Sequence, residues 1–129
     1  MSNKNRNKLS SELLLNLLQL KNQMKLYHWQ TKKHSRHVGS HIFLQKYDDV
    51  LDSLIEAYQG KYNTIKLNKN MKILNIPDNK IIEFLKKARE YLNNIAPKLF
   101  NKENNGDLFN LKDEILEIID KTIYLFKQK

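Results

Sequence analysis

The sequence predicts an all-α protein, a four-helix bundle with a longer connection between the second and third helices. Only three glycines and two prolines occur in 129 residues, so few positions interrupt a helix. Isoleucines supply most of the β-branched residues, and they recur at helical rather than alternating spacing. Four amphipathic stretches separated by polar breaks set the number of helices. The length and the 40% of hydrophobic residues are those of one domain with one core.

The first helix is expected to start at a Ser10 or Ser11 cap and to run to about Lys33. Residues 1–9 have no apolar period and are expected to form a disordered basic arm, which leaves 10–129 as the bundle. The basic residues of the arm are candidates for nucleic-acid binding: Lys4, Arg6 and Lys8.

Apolar residues of the first helix recur at steps of three and four, which predicts a core-facing stripe. Further leucines widen this stripe and predict burial on two sides, in the bundle and in a subunit contact. The stripe is Leu13, Leu17, Leu20, Met24 and Tyr27, and the widening residues are Leu14, Leu15 and Leu18.

The second helix is expected over 36–65, after a Ser35 cap, and residues 66–77 are expected to form a crossover connection. A third helix should start near Asp78 and end or kink at Pro97. Asp107 is expected to cap a fourth helix. The inward residues predicted for that helix are Leu108, Leu111, Ile115, Ile118, Ile119, Thr122, Leu125 and Phe126.

The formal net charge of +9 implies attraction to polyanions such as DNA, RNA or an anionic membrane surface. Lysines far outnumber the three arginines, which suits non-specific phosphate attraction better than base reading. The absence of cysteine excludes disulfides, thiolate metal sites and a thiol nucleophile. No apolar run is long enough to span a bilayer, so we expect a soluble, cytoplasmic protein without a membrane partner.

A stripe of metal-ligand residue types follows one face of the second helix. His37, His41, Asp48, Asp52 and Glu56 recur at steps of four, or of four plus three through an intervening glutamine. The histidine end and the carboxylate end lie roughly 20 Å apart along the axis, too far to close one site. Antiparallel packing on a two-fold-related copy would place histidines opposite carboxylates and form two mixed sites.

All four histidines of the chain lie between positions 28 and 41, which strengthens this hypothesis. Histidine nitrogens with carboxylate oxygens suit iron(II), zinc or manganese. The alternative for His28, which precedes Trp29, is a partly buried histidine held by hydrogen bonds. The alternative for the acidic residues of the second helix is a solvated surface.

A second acidic group lies in the last helix: Asp113, Glu114, Glu117 and Asp120. We interpret this group as surface residues, because helical spacing lets Glu117 pair with Lys121. The alternative is a metal site inside a single bundle, drawn from Glu56, Glu114 and Glu117.

The residues Tyr27, His28 and Trp29, followed by the histidines and the Asp52/Glu56 pair of the second helix, resemble the Dps mini-ferritins of the ferritin-like superfamily. The resemblance implies a ferritin-like bundle in which His28 and His37 form half of an iron-oxidising site and Asp52 and Glu56 come from the partner subunit. His41 stands where that family has an aspartate. With the segments at 58–62 and 112–116, the whole chain also resembles a ferritin-like family of large DNA viruses.

The resemblance therefore implies a ferroxidase that sequesters iron in a homodimer or larger assembly, protects DNA, and works in the host cytoplasm or virion. Its site residues are metal ligands only: His28, His37, His41, Asp52 and Glu56. The alternative is a basic bundle that lost this chemistry and serves as a DNA-packaging or virion structural protein. A third hypothesis is a pH-sensitive assembly in which the histidines titrate against the partner's carboxylates.

Overall fold

A computed structural model describes residues 1–128, which form four helices and no strand. The helices are α1 (Asn3–Gln30), α2 (His34–Lys61), α3 (Ile81–Leu99) and α4 (Gly106–Lys127). Helices α1 and α4 each contact both α2 and α3, so the four axes form a square with α1 diagonal to α4. The predicted all-α four-helix bundle is confirmed. No helix of the described residues is both long and apolar enough to cross a membrane.

Residues 62–80, called the crossover below, run the length of α1 and make α2 and α3 parallel. The crossover is extended along α1, where glutamine side chains bind its main chain. Gln19 accepts from the Lys72 N–H at 2.8 Å, and Gln23 accepts from the Leu74 N–H at 2.9 Å. Gln23 also donates to the Leu74 carbonyl. Gln19 and Gln23 are one helical turn apart, and two residues of an extended chain span a similar distance. The two glutamines can therefore bind every second main-chain amide of the crossover.

The first residues of the chain differ from the predicted disordered arm. Helix α1 begins at Asn3, and the Ser2 hydroxyl caps it by accepting from the Asn5 N–H at 3.2 Å. Arg6 donates to the Leu99 carbonyl at 2.9 Å, and its guanidinium lies 4.0 Å from the centre of the Tyr62 ring. These contacts with distant elements tie the first turns to the bundle.

The expected caps at Ser10 and Ser11 are not caps, because both residues lie buried inside α1. Their hydroxyls donate to the Asn7 carbonyl and to Asn68 of the crossover. The other boundaries shift by a few residues: α1 ends before Lys33, α2 ends before residue 65, and Asp78 lies in a turn before α3.

The predicted core stripe of α1 is confirmed, because all five residues are buried. The widening leucines are half-buried, so part of their surface stays accessible for a second contact. In α4, Leu125 does not face inward as its spacing predicts, but is 40% exposed. Its neighbour Phe126 takes the core position at 2% exposed and packs on Tyr27.

A polar network joins four elements at the end of the bundle that holds the turn between α1 and α2. Asp78 of the crossover accepts from the Tyr27 hydroxyl at 2.7 Å and from the Thr31 hydroxyl at 2.6 Å. Buried Arg36 donates to the main-chain carbonyl of Asp78 and, at 2.9 Å, to that of Phe126 in α4. The network therefore fixes the α1–α2 turn against the crossover and α4.

We expect Asp78→Asn to lower the free energy of unfolding by about 2 kcal/mol, because asparagine lacks the negative charge and one of the two acceptor oxygens of Asp78. Urea unfolding followed by circular dichroism measures this change. Asp49→Asn is the matched control, because Asp49 is exposed and takes part in no ion pair of the described chain. Equal loss in the two variants would contradict the role of Asp78.

The same variant should change the acid sensitivity of the protein. Burial raises the pKa of Asp78, but hydrogen bonds from Thr31, Tyr27 and the Lys32 N–H outweigh it and leave that pKa below its usual value. The stabilisation is thus present above the pKa of an unfolded aspartate and is lost as the pH falls through the lower folded value. The difference in stability between wild type and Asp78→Asn should shrink below about pH 4.

Candidate metal centre

Three histidines meet where α1 ends and α2 begins. The short turn at residues 31–33 brings His28 of α1 beside His37 of α2, with the ring centroids 3.9 Å apart and the planes at 17°. The His41 ring lies one turn further along α2, with its centroid 5.7 Å from that of His28. The structure thus brings together the three histidines that the sequence proposed as ligands.

Reciprocal hydrogen bonds define the protonation of the stacked pair. His28 Nδ1 lies 2.8 Å from the His37 carbonyl, and His37 Nδ1 lies 2.8 Å from the His28 carbonyl. A carbonyl oxygen only accepts, so each Nδ1 must carry the hydrogen. In the neutral imidazole this leaves the Nε2 lone pair free, which is the usual arrangement of metal-binding histidines.

The surroundings of His28 favour this neutral form. Its side chain is buried, and desolvation lowers its pKa, as do the charges of His37, Lys25 and His41, although the hydrogen bond to the His37 carbonyl acts in the opposite direction. His37 and His41 are exposed. The cluster therefore has one buried, oriented ring and two rings open to solvent.

Ser40 is a positioning residue that the sequence analysis missed. Its buried hydroxyl donates to the His37 carbonyl at 3.0 Å and lies 2.9 Å from His28 Nδ1, where it can accept. The adjacent Gly39 lets α4 approach, because a Cβ there would lie 3.1 Å from the Phe126 ring. The sequence does contain a signal for this position, because two small residues, Gly39 and Ser40, lie between His37 and His41 on one helix.

The two carboxylates proposed as ligands lie at the other end of α2. Asp52 and Glu56 are exposed and form no ion pair within the described chain. Asp48, by contrast, pairs with Lys21 of α1 at 2.8 Å. At 1.5 Å per residue, Asp52 lies roughly 20 Å along the helix from His37. A single chain therefore does not bring the histidines and the carboxylates together, and this agrees with the sequence prediction.

Among residues 1–128, no three His, Asp or Glu side chains form a group that could hold a metal ion. The alternative site inside a single bundle is therefore wrong. Its residues Glu56, Glu114 and Glu117 are all exposed. Glu117 pairs with Lys121 at 2.9 Å, and this hydrogen bond and charge lower the pKa of Glu117, which confirms the surface interpretation.

The basic residues proposed to contact nucleic acid divide into two kinds. Arg6 is tied to Leu99 and Tyr62 as described, so its guanidinium already has partners. Lys4 and Lys8 are exposed and line a polar groove between α1 and the crossover, together with Lys66. None of these lysines has an acidic partner within the described chain.

Comparison with known proteins finds one family. Residues 28–126 match the model of DUF5856, a family of unknown function. The match begins at His28 and thus includes all five candidate ligands. No curated protein matches the chain, and no solved structure does.

We expect the neutral imidazoles of His28 and His37 to carry their hydrogen on Nδ1 and to leave Nε2 bare. Long-range ¹H–¹⁵N spectra distinguish the two nitrogens directly. His28 should also titrate below the usual range of histidine, because desolvation lowers its pKa. An Nε2-protonated His28 would contradict this account. Ser40→Ala should shift the His28 resonances more than those of exposed His34.

Proposed function

We propose that this chain, which belongs to the DUF5856 family of unknown function, binds and oxidises iron(II) at sites shared between two copies of itself. The observation that carries the proposal is the reciprocal bonding of His28 and His37, which directs both free lone pairs to Nε2. Imidazole nitrogens with carboxylate oxygens also suit zinc and manganese.

The second half of the site must come from elsewhere, because three stacked or tilted rings do not enclose an ion in one chain. Asp52 and Glu56 suit this role, since they are exposed and have no ion-pair partner among residues 1–128, in a chain of strongly positive charge. Antiparallel packing of α2 on its copy would bring the histidine end of each chain to the carboxylate end of the other.

The topology agrees with this proposal. Bundles with one long crossover between parallel helices include ferritin-like proteins, whose metal sites are built from side chains of facing helices. The proposal places this chain beside the Dps proteins, but with histidine at position 41 in place of a carboxylate.

The proposed reaction is the oxidation of iron(II) by hydrogen peroxide. Two iron(II) ions each give one electron to hydrogen peroxide, which takes up two protons and leaves as two water molecules. Asp52 and Glu56 contribute negative charge, which stabilises iron(III) more than iron(II). The Nε2 atoms of His28 and His37 would hold the iron, because the Nδ1–H bonds of these two histidines to main-chain carbonyls fix their rings.

The test is an anaerobic iron(II) titration of wild type and of the double variant His37→Ala/Glu56→Ala. We expect the variant to bind iron(II) roughly tenfold or more weakly, because each site loses His37 of one chain and Glu56 of the other. The matched control is His34→Ala/Glu114→Ala, which removes an exposed histidine and an exposed carboxylate outside the site. Unchanged affinity in His37→Ala/Glu56→Ala would rule out the proposed site.

A second candidate function is non-specific DNA packaging by a basic bundle. The observation that favours it is the groove lined by Lys4, Lys8 and Lys66, which have no acidic partner in the described part of the chain. Its affinity for duplex DNA should fall steeply with salt and survive chelation of metal. Alanine at the three lysines should reduce the slope of log K against log salt by about 0.9 for each phosphate that the protein no longer neutralises. An unchanged slope would exclude this groove as the DNA site.

A further inference from the structure

The excess positive charge of the protein lies on one side of the bundle. Residues 1–33 contain seven basic residues and one acidic residue, and residues 62–77 of the crossover contain three basic residues and no acidic one. The rest of the sequence contains thirteen of each sign, so it is neutral. Because the crossover is bound along α1, these two segments form one surface, called the α1–crossover face below.

Most of the charged side chains of this face are accessible to an anionic partner. Eight lysines of the face are exposed and have no acidic partner within residues 1–128. They are Lys4, Lys8, Lys25, Lys32, Lys33, Lys66, Lys69 and Lys72. In contrast, Lys21 is held by Asp48 and Arg6 by Leu99. The face thus has a local excess of exposed ammonium groups along the length of α1.

Large apolar side chains are exposed between these lysines. Trp29 is 66% exposed and Leu74 is 64% exposed, while Leu67 and Ile73 are 44% and 39% exposed. The main chain of Leu74 is fixed by two hydrogen bonds to Gln23, so its exposed side chain projects from an ordered segment. Lys25 lies over the Trp29 ring, 5.3 Å from its centre.

The combination of exposed lysines and exposed apolar side chains distinguishes between nucleic acid and an anionic lipid bilayer as partners. Non-specific nucleic-acid contacts are made mainly by positive and polar groups against phosphates. A bilayer interface takes both kinds of group, since lysines attract anionic headgroups while tryptophan and leucine enter the boundary of the acyl chains. We propose that the α1–crossover face binds the surface of an anionic lipid bilayer. This differs from the expectation of no membrane partner and does not depend on the metal site.

The test is co-sedimentation with vesicles of phosphatidylcholine, with and without phosphatidylserine. We expect binding only when phosphatidylserine is present, and a shift of tryptophan emission to shorter wavelength. Trp29 is the only tryptophan, so it reports the face directly. The triple variant Lys66→Glu/Lys69→Glu/Lys72→Glu should bind roughly a hundredfold or more weakly, since three lysines near the surface at about 1 kcal/mol each contribute about 3 kcal/mol.

Two matched controls keep the inference falsifiable. Lys86→Glu/Lys98→Glu/Lys102→Glu changes the net charge equally at exposed positions outside the face. Ile73→Ser/Leu74→Ser should weaken binding and reduce the emission shift, whereas Tyr124→Ser/Leu125→Ser, an exposed apolar pair on α4, should not. Circular dichroism confirms that each variant folds.

Three outcomes would overturn the inference. The first is equal loss of binding in both charge-reversed variants, which would show general attraction by net charge. The second is unchanged binding in Ile73→Ser/Leu74→Ser with no emission shift. The third is binding of duplex DNA but not of vesicles, which would assign the lysines to nucleic acid.

Discussion

The network of Asp78, Tyr27, Thr31 and Arg36 is the constraint on which the candidate site depends. It joins α1, α2, the crossover and the end of α4 at one point, beside the α1–α2 turn. Buried polar groups are costly unless they are paired, so this network allows few alternative arrangements of the turn. The fixed α1–α2 turn stacks the His28 ring on the His37 ring. This stacking makes the reciprocal hydrogen bonds of the two histidines possible.

The crossover connects this network to the α1–crossover face. Its end carries Asp78, and its middle is bound by Gln19 and Gln23 of α1. The same extended segment keeps its lysines and several apolar side chains exposed. The molecule therefore has two separate functional candidates: a histidine cluster that faces a second copy in our proposal, and a basic face that lies along α1.

The helical pattern was readable from sequence because burial repeats at the helical period. The stripe from Leu13 to Tyr27 and the spacing of His37 and His41 follow from this period alone. The ordered N-terminus was not readable, because it depends on the Leu99 carbonyl and Tyr62, which are distant in sequence. The same reason hid the Asp78 network, whose Tyr27 bond joins residues 51 positions apart. The outward position of Leu125 depends on which of two adjacent apolar residues packs against Tyr27.

The central claim is that each site takes its histidines from one chain and its carboxylates from another. Mixing the single variants His37→Ala and Glu56→Ala tests this most directly, with iron(II) bound per chain measured before and after exchange of subunits. In a mixed dimer, one site has both defects and the other has none. We predict that the mixture regains tight binding at one site per mixed dimer, although neither variant alone binds tightly. Failure of an exchanged mixture to regain any binding would contradict a shared site.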